Sequence, residues 1–165
     1  MSAPGSYDLV IRPLSGPDEA AWCAHTMATS EPWVTLKRTY ELSLEMINSP
    51  TREVYVAVLG DELRGFVILS MQGAFTGYVQ TICIAPGFRR QGLGSRLLAF
   101  AEARILRDSP NIFMCVSSFN TEARRLYERR GYVVVGELAA YLVPEYSEIL
   151  LRKTIGLWRG FRKQS

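Results

Sequence analysis

The sequence has few of the features that mark secreted, membrane-spanning or metal-binding proteins. Its 165 residues include only three cysteines, Cys23, Cys83 and Cys115, an odd number for a disulfide framework and too widely spaced for a CxxC metal site. No apolar run reaches the roughly 20 residues that span a bilayer, and the start, MSAPGSYD, lacks the basic and apolar regions of a signal peptide. We therefore expect a cytoplasmic protein with no bound metal and no membrane contact.

The sequence also lacks a strong excess of charge. The formal charge is +3, and Arg159, Arg162 and Lys163 near the end contribute all of it, which leaves residues 1–153 neutral. A neutral body argues against nucleic acid as a partner. The tail, residues 154–165, mixes aromatic and basic residues, and we expect a disordered end there rather than an RNA or membrane contact.

No internal repeat or linker divides the chain, so we predict one domain over residues 1–153 followed by the tail. Runs rich in Val, Ile, Tyr and Phe predict strands at 8–13, 53–59, 62–71, 78–84, 112–117, 132–135 and 148–153. Helices are predicted from Gly16, over residues 36–48, after Gly92 and after a cap at Asn120, with Gly131 ending the last one. These elements predict an α/β fold with a mixed sheet.

The loop 89–95 joins a predicted strand to a predicted helix. Gly92 and Gly94 let the backbone approach a ligand, and the helix start leaves N–H groups that a diphosphate would satisfy. Arg89 and Arg90 add positive charge that does not titrate near neutral pH. No G-K-[S/T] follows the glycines and Leu97 replaces the third glycine of a dinucleotide fingerprint, so neither of those nucleotide sites is favoured.

Two separated motifs occur in a defined order. Arg89, Gly92 and Gly94 follow the pattern Q/R-x-x-G-x-G/A, and Asn120 precedes a helix that contains Leu126-Tyr127. In this the chain resembles the GNAT superfamily of N-acetyltransferases, and most closely its ribosomal-protein alanine acetyltransferases. The resemblance implies a single domain with a mostly antiparallel central sheet, splayed central strands and flanking helices. It also implies acetyl transfer from acetyl-CoA to an amine.

The resemblance further assigns residues to the cosubstrate. Backbone N–H groups at Ile82, Cys83 and Ile84 would bond the pantetheine arm and polarise the acetyl carbonyl. Asn120 would touch that arm, and a role as a helix cap only is an equal alternative. Tyr127 would be the general acid that protonates the departing thiolate. The loop backbone would hold the diphosphate through Arg89, Arg90, Gln91, Gly92, Leu93, Gly94 and Ser95.

The general base departs from the familiar pattern. No Asp or Glu occurs between Glu62 and Glu102 or between Asp108 and Glu122, and Cys115 stands where the ribosomal-protein enzymes carry a Glu. The sequence therefore leaves several alternatives open. These are Glu31, Glu148, His25, or a water held by Gln80 or Tyr78.

The acceptor pocket should involve aromatic side chains outside the motifs. Trp33, Tyr78 and Tyr141 are candidates, with Trp33 in the segment after the first helix and Tyr141 in a predicted loop, 141–146. A weak base suits an α-amine, with a pKa of about 8, better than a lysine at about 10.4. A peptide or protein α-amine is thus one acceptor, a small amine or antibiotic a second. A sensor that binds acetyl-CoA without catalysis also stays open, and we expect a monomer or homodimer.

Overall fold

The computed structural model describes residues 8–164, which form seven strands and four helices. The strands are β1 (Leu9–Pro13), β2 (Arg52–Leu59), β3 (Glu62–Ser70), β4 (Tyr78–Ile84), β5 (Asn111–Ser117), β6 (Val133–Val143) and β7 (Tyr146–Thr154). The helices are α1 (Gly16–Ala28), α2 (Tyr40–Ile47), α3 (Leu93–Leu106) and α4 (Thr121–Arg129). Most of the predicted elements are therefore present in the predicted order.

All seven strands belong to one sheet, in the order β1-β2-β3-β4-β5-β7-β6. Every neighbouring pair is antiparallel except β4 and β5, which run parallel. These two strands pair only at Tyr78 with Phe113 and Val79 with Met114, and then separate. The predicted mixed, mostly antiparallel sheet with splayed central strands, flanked by helices in a single domain, is confirmed.

Both faces of the sheet are covered by helices. On one face, Leu97 and Ile105 of α3 are fully buried against the strands, as the four-residue apolar spacing predicts. On the other face, Cys23 and Met27 of α1 pack with Cys83 of β4. Each such large side chain contributes about 1.5–3 kcal/mol on burial. Because β4 is packed on both faces, its edge towards β5 is held in place where the strands separate.

Helix α2 begins later than the predicted range of 36–48. Thr39 caps it, with its Oγ1 accepting a hydrogen bond from the Leu42 backbone N–H at 3.2 Å. Lys37 has a positive φ of 56°, which a helix cannot include. Residues 31–39 therefore form a loop before α2, and this loop reaches the cavity described below.

Strand β6 is much longer than the predicted 132–135, and the predicted loop 141–146 is wrong. Tyr141 lies within β6, and only Pro144 and Glu145 connect it to β7. The local pattern failed because β6 is an edge strand whose side chains are mostly exposed, so they do not alternate between core and solvent. Pairing with β7 extends the strand instead, with an irregular register between Leu138 and Val143.

The segment after β7 lies against the body of the protein rather than extending away as a disordered end. The backbone N–H of Ile155 donates to Pro110 O at 2.9 Å, and that of Gln164 donates to Arg107 O at 2.9 Å. Trp158 and Phe161 contact each other edge to face. Within residues 8–164, no helix has the length and apolar character needed to cross a membrane.

Candidate active site

A cavity of about 1000 Å³ opens where β4 and β5 separate. Its wall includes residues of β4, β5, α4, the loop before α2 and the β6–β7 hairpin, together with residues of α2, β2 and β3. Several residues predicted from the sequence meet in this wall: Trp33, Tyr78, Gln80, Ile82, Asn120, Tyr127, Tyr141 and Glu148.

A bulge in β4 shapes the cavity floor. Val79 pairs with Leu69 and Thr81 with Ile68, so Gln80 between them has no partner on β3. Such an extra residue bends its strand and redirects a side chain, and here Gln80 and Ile82 line the cavity. Cys83 is 1% exposed and burial raises its pKa to about 12, so its side chain belongs to the core. Any contact of Cys83 with the cosubstrate would be made by its backbone.

The loop 89–95 lies beyond the far end of β4 and outside the cavity wall. Helix α3 starts after Gly92, whose φ is 81°, and no side chain caps its first turn. The backbone amides of residues 92–95 donate to no acceptor within residues 8–164. A Cβ built at Gly92 or Gly94 would meet no atom within 4 Å, so the space beside these two glycines is open. This row of unpaired donors fits a diphosphate.

Two arginines flank these amides. Arg89 Nε donates to Ile84 O at 3.1 Å, which ties the loop to the end of β4. The Arg90 side chain is 85% exposed, and its Nη2 lies 4.0 Å from a Glu122 carboxylate oxygen on α4. Arg90 is therefore available to an anion at the start of α3, whereas Arg89 is engaged in holding the loop.

Helix α4 brings Asn120 and Tyr127 to the cavity. Asn120 does cap the helix, with Oδ1 accepting from the Ala123 N–H at 3.3 Å, and it also lines the cavity, so the two predicted roles are compatible. Glu102 of α3 bonds Arg130, just after α4, at 2.7 Å and fixes that end of the helix. Burial raises the pKa of Tyr127 to about 12, which keeps its proton in place at neutral pH. A general acid needs that property.

Glu148 is a buried carboxylate in the cavity wall. It lies on β7, an inner strand between β5 and β6, and is 5% exposed. Ser117 lies opposite it on β5 and its Oγ donates to Glu148 Oε1 at 2.5 Å. Desolvation raises the pKa of Glu148 above the usual value for a carboxyl group. The pKa of the neighbouring Tyr78 is also raised by burial, so that phenol is neutral.

The other titratable candidates for the base lie elsewhere. The Glu31 carboxylate is exposed and accepts from the Thr35 N–H at 3.2 Å, and it is not part of the cavity wall. His25 is exposed in the last turn of α1. Both therefore fail as direct bases in this conformation, and of the three titratable candidates only Glu148 reaches the cavity.

Among the residues of the cavity wall that sequence analysis missed are Ser117, Arg38 and Arg52. Ser117 is identified only by the β5–β7 register, because its partner Glu148 is far away in the sequence. Arg38 and Arg52 stand in a loop and at the start of a strand, where a solvated arginine is ordinary. No local pattern marks any of them.

Comparison with known proteins identifies the family. Residues 18–132 match the model of the acetyltransferase (GNAT) family. The chain belongs to this family. The prediction of an N-acetyltransferase is thereby confirmed. The prediction of acetyl-CoA as its cosubstrate is also confirmed, because similar solved structures contain coenzyme A or acetyl coenzyme A. The finer resemblance to the ribosomal-protein alanine acetyltransferases stays a prediction.

Several individual proteins are similar to this GNAT chain. The catalytic subunit of the N-terminal acetyltransferase B complex of Arabidopsis thaliana is 25% identical over 111 residues, which cover 64% of the chain and 63% of that subunit. The alignment thus spans less than two thirds of that relative.

Among solved structures, an aminoglycoside 6'-N-acetyltransferase complexed with coenzyme A has a TM-score of 0.71 and 21% identity, over 90% of this chain and 98% of the other. A spermidine/spermine N-acetyltransferase of Vibrio cholerae has a TM-score of 0.68 and 20% identity, over 88% of this chain and 92% of the other. At these identities the two structures show a shared fold.

Proposed function

We propose that this enzyme transfers the acetyl group of acetyl-CoA directly to a primary amine, with the α-amine of a peptide or protein as the acceptor. One observation carries the proposal. A single cavity wall presents a buried carboxylate with a raised pKa, Glu148, and a partly buried phenol that keeps its proton, Tyr127. These are the two groups that proton transfer to and from an amine and a thiol requires.

The chain's backbone would hold the donor. Amides of residues 92–95 and the Arg90 guanidinium would bind the diphosphate, because they are unpaired donors at a helix N-terminus. The edge of β4 that faces β5 has no strand partner beyond Val79. Its N–H groups between Ile82 and Ile84 would hold the arm and stabilise negative charge on the acetyl oxygen.

The cavity side chains would then accept and donate the protons of the reaction. The amine nitrogen bonds to the acetyl carbon, and the amine proton goes to Glu148, directly or through a water at Gln80. The tetrahedral intermediate loses its carbon–sulfur bond, and Tyr127 donates its proton to the thiolate. The products are an N-acetylated amine and the thiol of coenzyme A, and solvent restores both side chains.

The base strength favours an α-amine over a lysine side chain. An α-amine with a pKa of about 8 is partly neutral at pH 7, whereas a lysine at about 10.4 is almost entirely charged. The Arabidopsis relative is itself named an N-terminal acetyltransferase. A small-molecule amine is the second candidate, because the cavity of about 1000 Å³ also lies at the upper end of the usual range for small ligands.

Release of free thiol tests the proposal. The protein is incubated with acetyl-CoA and with matched panels of peptides, blocked lysines and small amines, and acetylated products are identified by mass spectrometry. We expect thiol release that depends on an α-amine and that falls in both Glu148→Gln and Tyr127→Phe. Binding of acetyl-CoA with no thiol release for any amine would instead support a sensor.

A further inference from the structure

The cavity wall carries more positive than negative charge. Lys37, Arg38 and Arg52 all line the cavity, and Glu148 is the one acidic residue among the residues of the cavity wall, counted over 8–164. The three cations come from the loop before α2 and from the first residue of β2. They do not lie on one helix face, so a solvated helix stripe does not explain why all three line the same cavity.

The two arginines have no acidic partner within the described chain. Neither Arg38 nor Arg52 forms a salt bridge with any of residues 8–164, although both are partly buried. Arg52 Nη1 donates only to hydroxyl groups, Thr51 and Ser70, each at 3.2 Å, and its Nε is buried without any hydrogen-bond partner. Partly buried cations are usually paired, so this arrangement calls for an anion from outside the chain.

Burial also perturbs Arg38. Desolvation lowers its pKa, because no neighbouring carboxylate offsets the loss of water. A bound carboxylate would compensate Arg38 for the lost water, because a guanidinium can donate two parallel hydrogen bonds to one carboxylate.

Arg52 and the proposed diphosphate site at the loop 89–95 lie at opposite ends of β4. Arg52 pairs with Ser70, and Ser70 pairs with Tyr78, the first residue of β4. The loop 89–95 follows the last residue of β4, Ile84, and six steps of about 3.3 Å put these ends about 20 Å apart. The diphosphate of the donor therefore does not occupy the arginines. Tyr78, which also lines the cavity, is only two strand spacings, about 10 Å, from Arg52, so Arg52 lies at the end of β4 opposite the donor loop.

Resting on the proposed function, we infer that the acceptor carries a carboxylate as well as its amine, and that Arg38 and Arg52 bind this carboxylate while the amine lies beside Glu148. Two sources share this chemistry: a peptide with an acidic side chain soon after its α-amine, and a free amino acid. The same charges disfavour polyamines and other polycationic amines as acceptors, because such molecules would meet like charges in the cavity.

The first test compares acceptors. C-terminally amidated peptides with Asp at the second or third position are compared with the same peptides carrying Asn there. Free glutamate is compared with its diamide, which lacks both carboxylates. Spermidine is included as a polycationic amine. We expect kcat/KM at least about tenfold higher for the carboxylate-bearing member of one pair, since a charge-assisted hydrogen bond exceeds a neutral one by about that factor. Equal rates within both pairs, or a preference for spermidine, would overturn the inference.

The second test uses variants and binding, so that it does not depend on turnover. The double variant Arg38→Gln/Arg52→Gln should reduce the preference to less than about threefold, Arg52→Lys should restore part of it, and Arg159→Gln, an exposed cation of the tail, should leave it unchanged.

Calorimetry with the N-acetylated acidic product, added to protein saturated with coenzyme A, decides the inference even where no amine turns over. Loss of affinity in the double variant supports it. Equal affinity of the acidic and neutral products in the parent protein contradicts it. Absence of thiol release alongside normal product binding would count against the proposed function alone.

Discussion

Replacing Glu148 by glutamine removes the proposed base and changes the side-chain shape very little. Glu148 is 5% exposed and accepts a hydrogen bond from Ser117, which an amide oxygen can also accept. A general base is worth about 10²–10⁴-fold, and a water at Gln80 can replace part of that. We therefore expect Glu148→Gln to lower kcat/KM for the amine by about 10²-fold. Affinity for coenzyme A should change little, because the loop 89–95 is remote.

The same substitution should raise stability, and the pH dependence gives the sign. Burial raises the folded-state pKa of Glu148 above its unfolded value of about 4.3, so folding favours the protonated form. The cost of burying the charge is absent below the unfolded pKa, grows as the pH rises towards the folded pKa, and is complete above it. Glu148→Gln should therefore melt at a higher temperature than the parent at pH 8, and the difference should shrink as the pH falls towards 4.

Two measurements decide this prediction: kcat/KM against pH for an α-amine peptide, and melting temperature against pH. Glu137→Gln is the matched control, because Glu137 is an exposed carboxylate on the adjacent strand β6 and lies outside the cavity wall. The control should match the parent in both kcat/KM and melting temperature at each pH. If Glu148→Gln also keeps the parental rate and the parental pH profile, Glu148 is not the base.

Three further perturbations address other parts of the site. Tyr127→Phe should lower kcat by about tenfold. This is less than a full general-acid effect, because a thiol with a pKa of about 8.5 is a tolerable leaving group. An unchanged kcat in steady-state assays would remove Tyr127 from the mechanism. Arg90→Glu should weaken coenzyme A binding by about tenfold in calorimetry, whereas Arg159→Glu should not; equal affinities would contradict a phosphate contact. Glu102→Gln should lower the free energy of unfolding by about 1–2 kcal/mol in urea titrations, since it weakens the bonds to Arg130 and Lys153, and no loss would show that this ion cluster is not structural.

Local patterns in the sequence were enough to predict the elements around the donor site. The glycines at 92 and 94, the apolar spacing of α3 and the cap at Asn120 each have a short-range physical cause, and the structure contains all three. The order of the strands along the chain followed from apolar runs bounded by turns. For these features the sequence signal and the structural cause lie within the same few residues.

The proposed catalytic base was different, because its environment depends on distant pairing. Glu148 is buried only because β7 inserts between β5 and β6 and aligns it with Ser117. Glu31 looked equally plausible in the sequence, but the loop before α2 directs it to the Thr35 N–H. The presence of Arg38 and Arg52 in one cavity wall likewise depends on how a loop packs near the start of β2. Such tertiary contacts leave no periodic pattern.

The most direct test of the account is calorimetric titration of the folded protein with coenzyme A. The row of unpaired amides at residues 92–95 and the open edge of β4 predict saturable binding of one coenzyme A per chain, weakened in Arg90→Glu. No detectable binding by protein that melts cooperatively would contradict both the donor site and the acetyltransferase mechanism built on it.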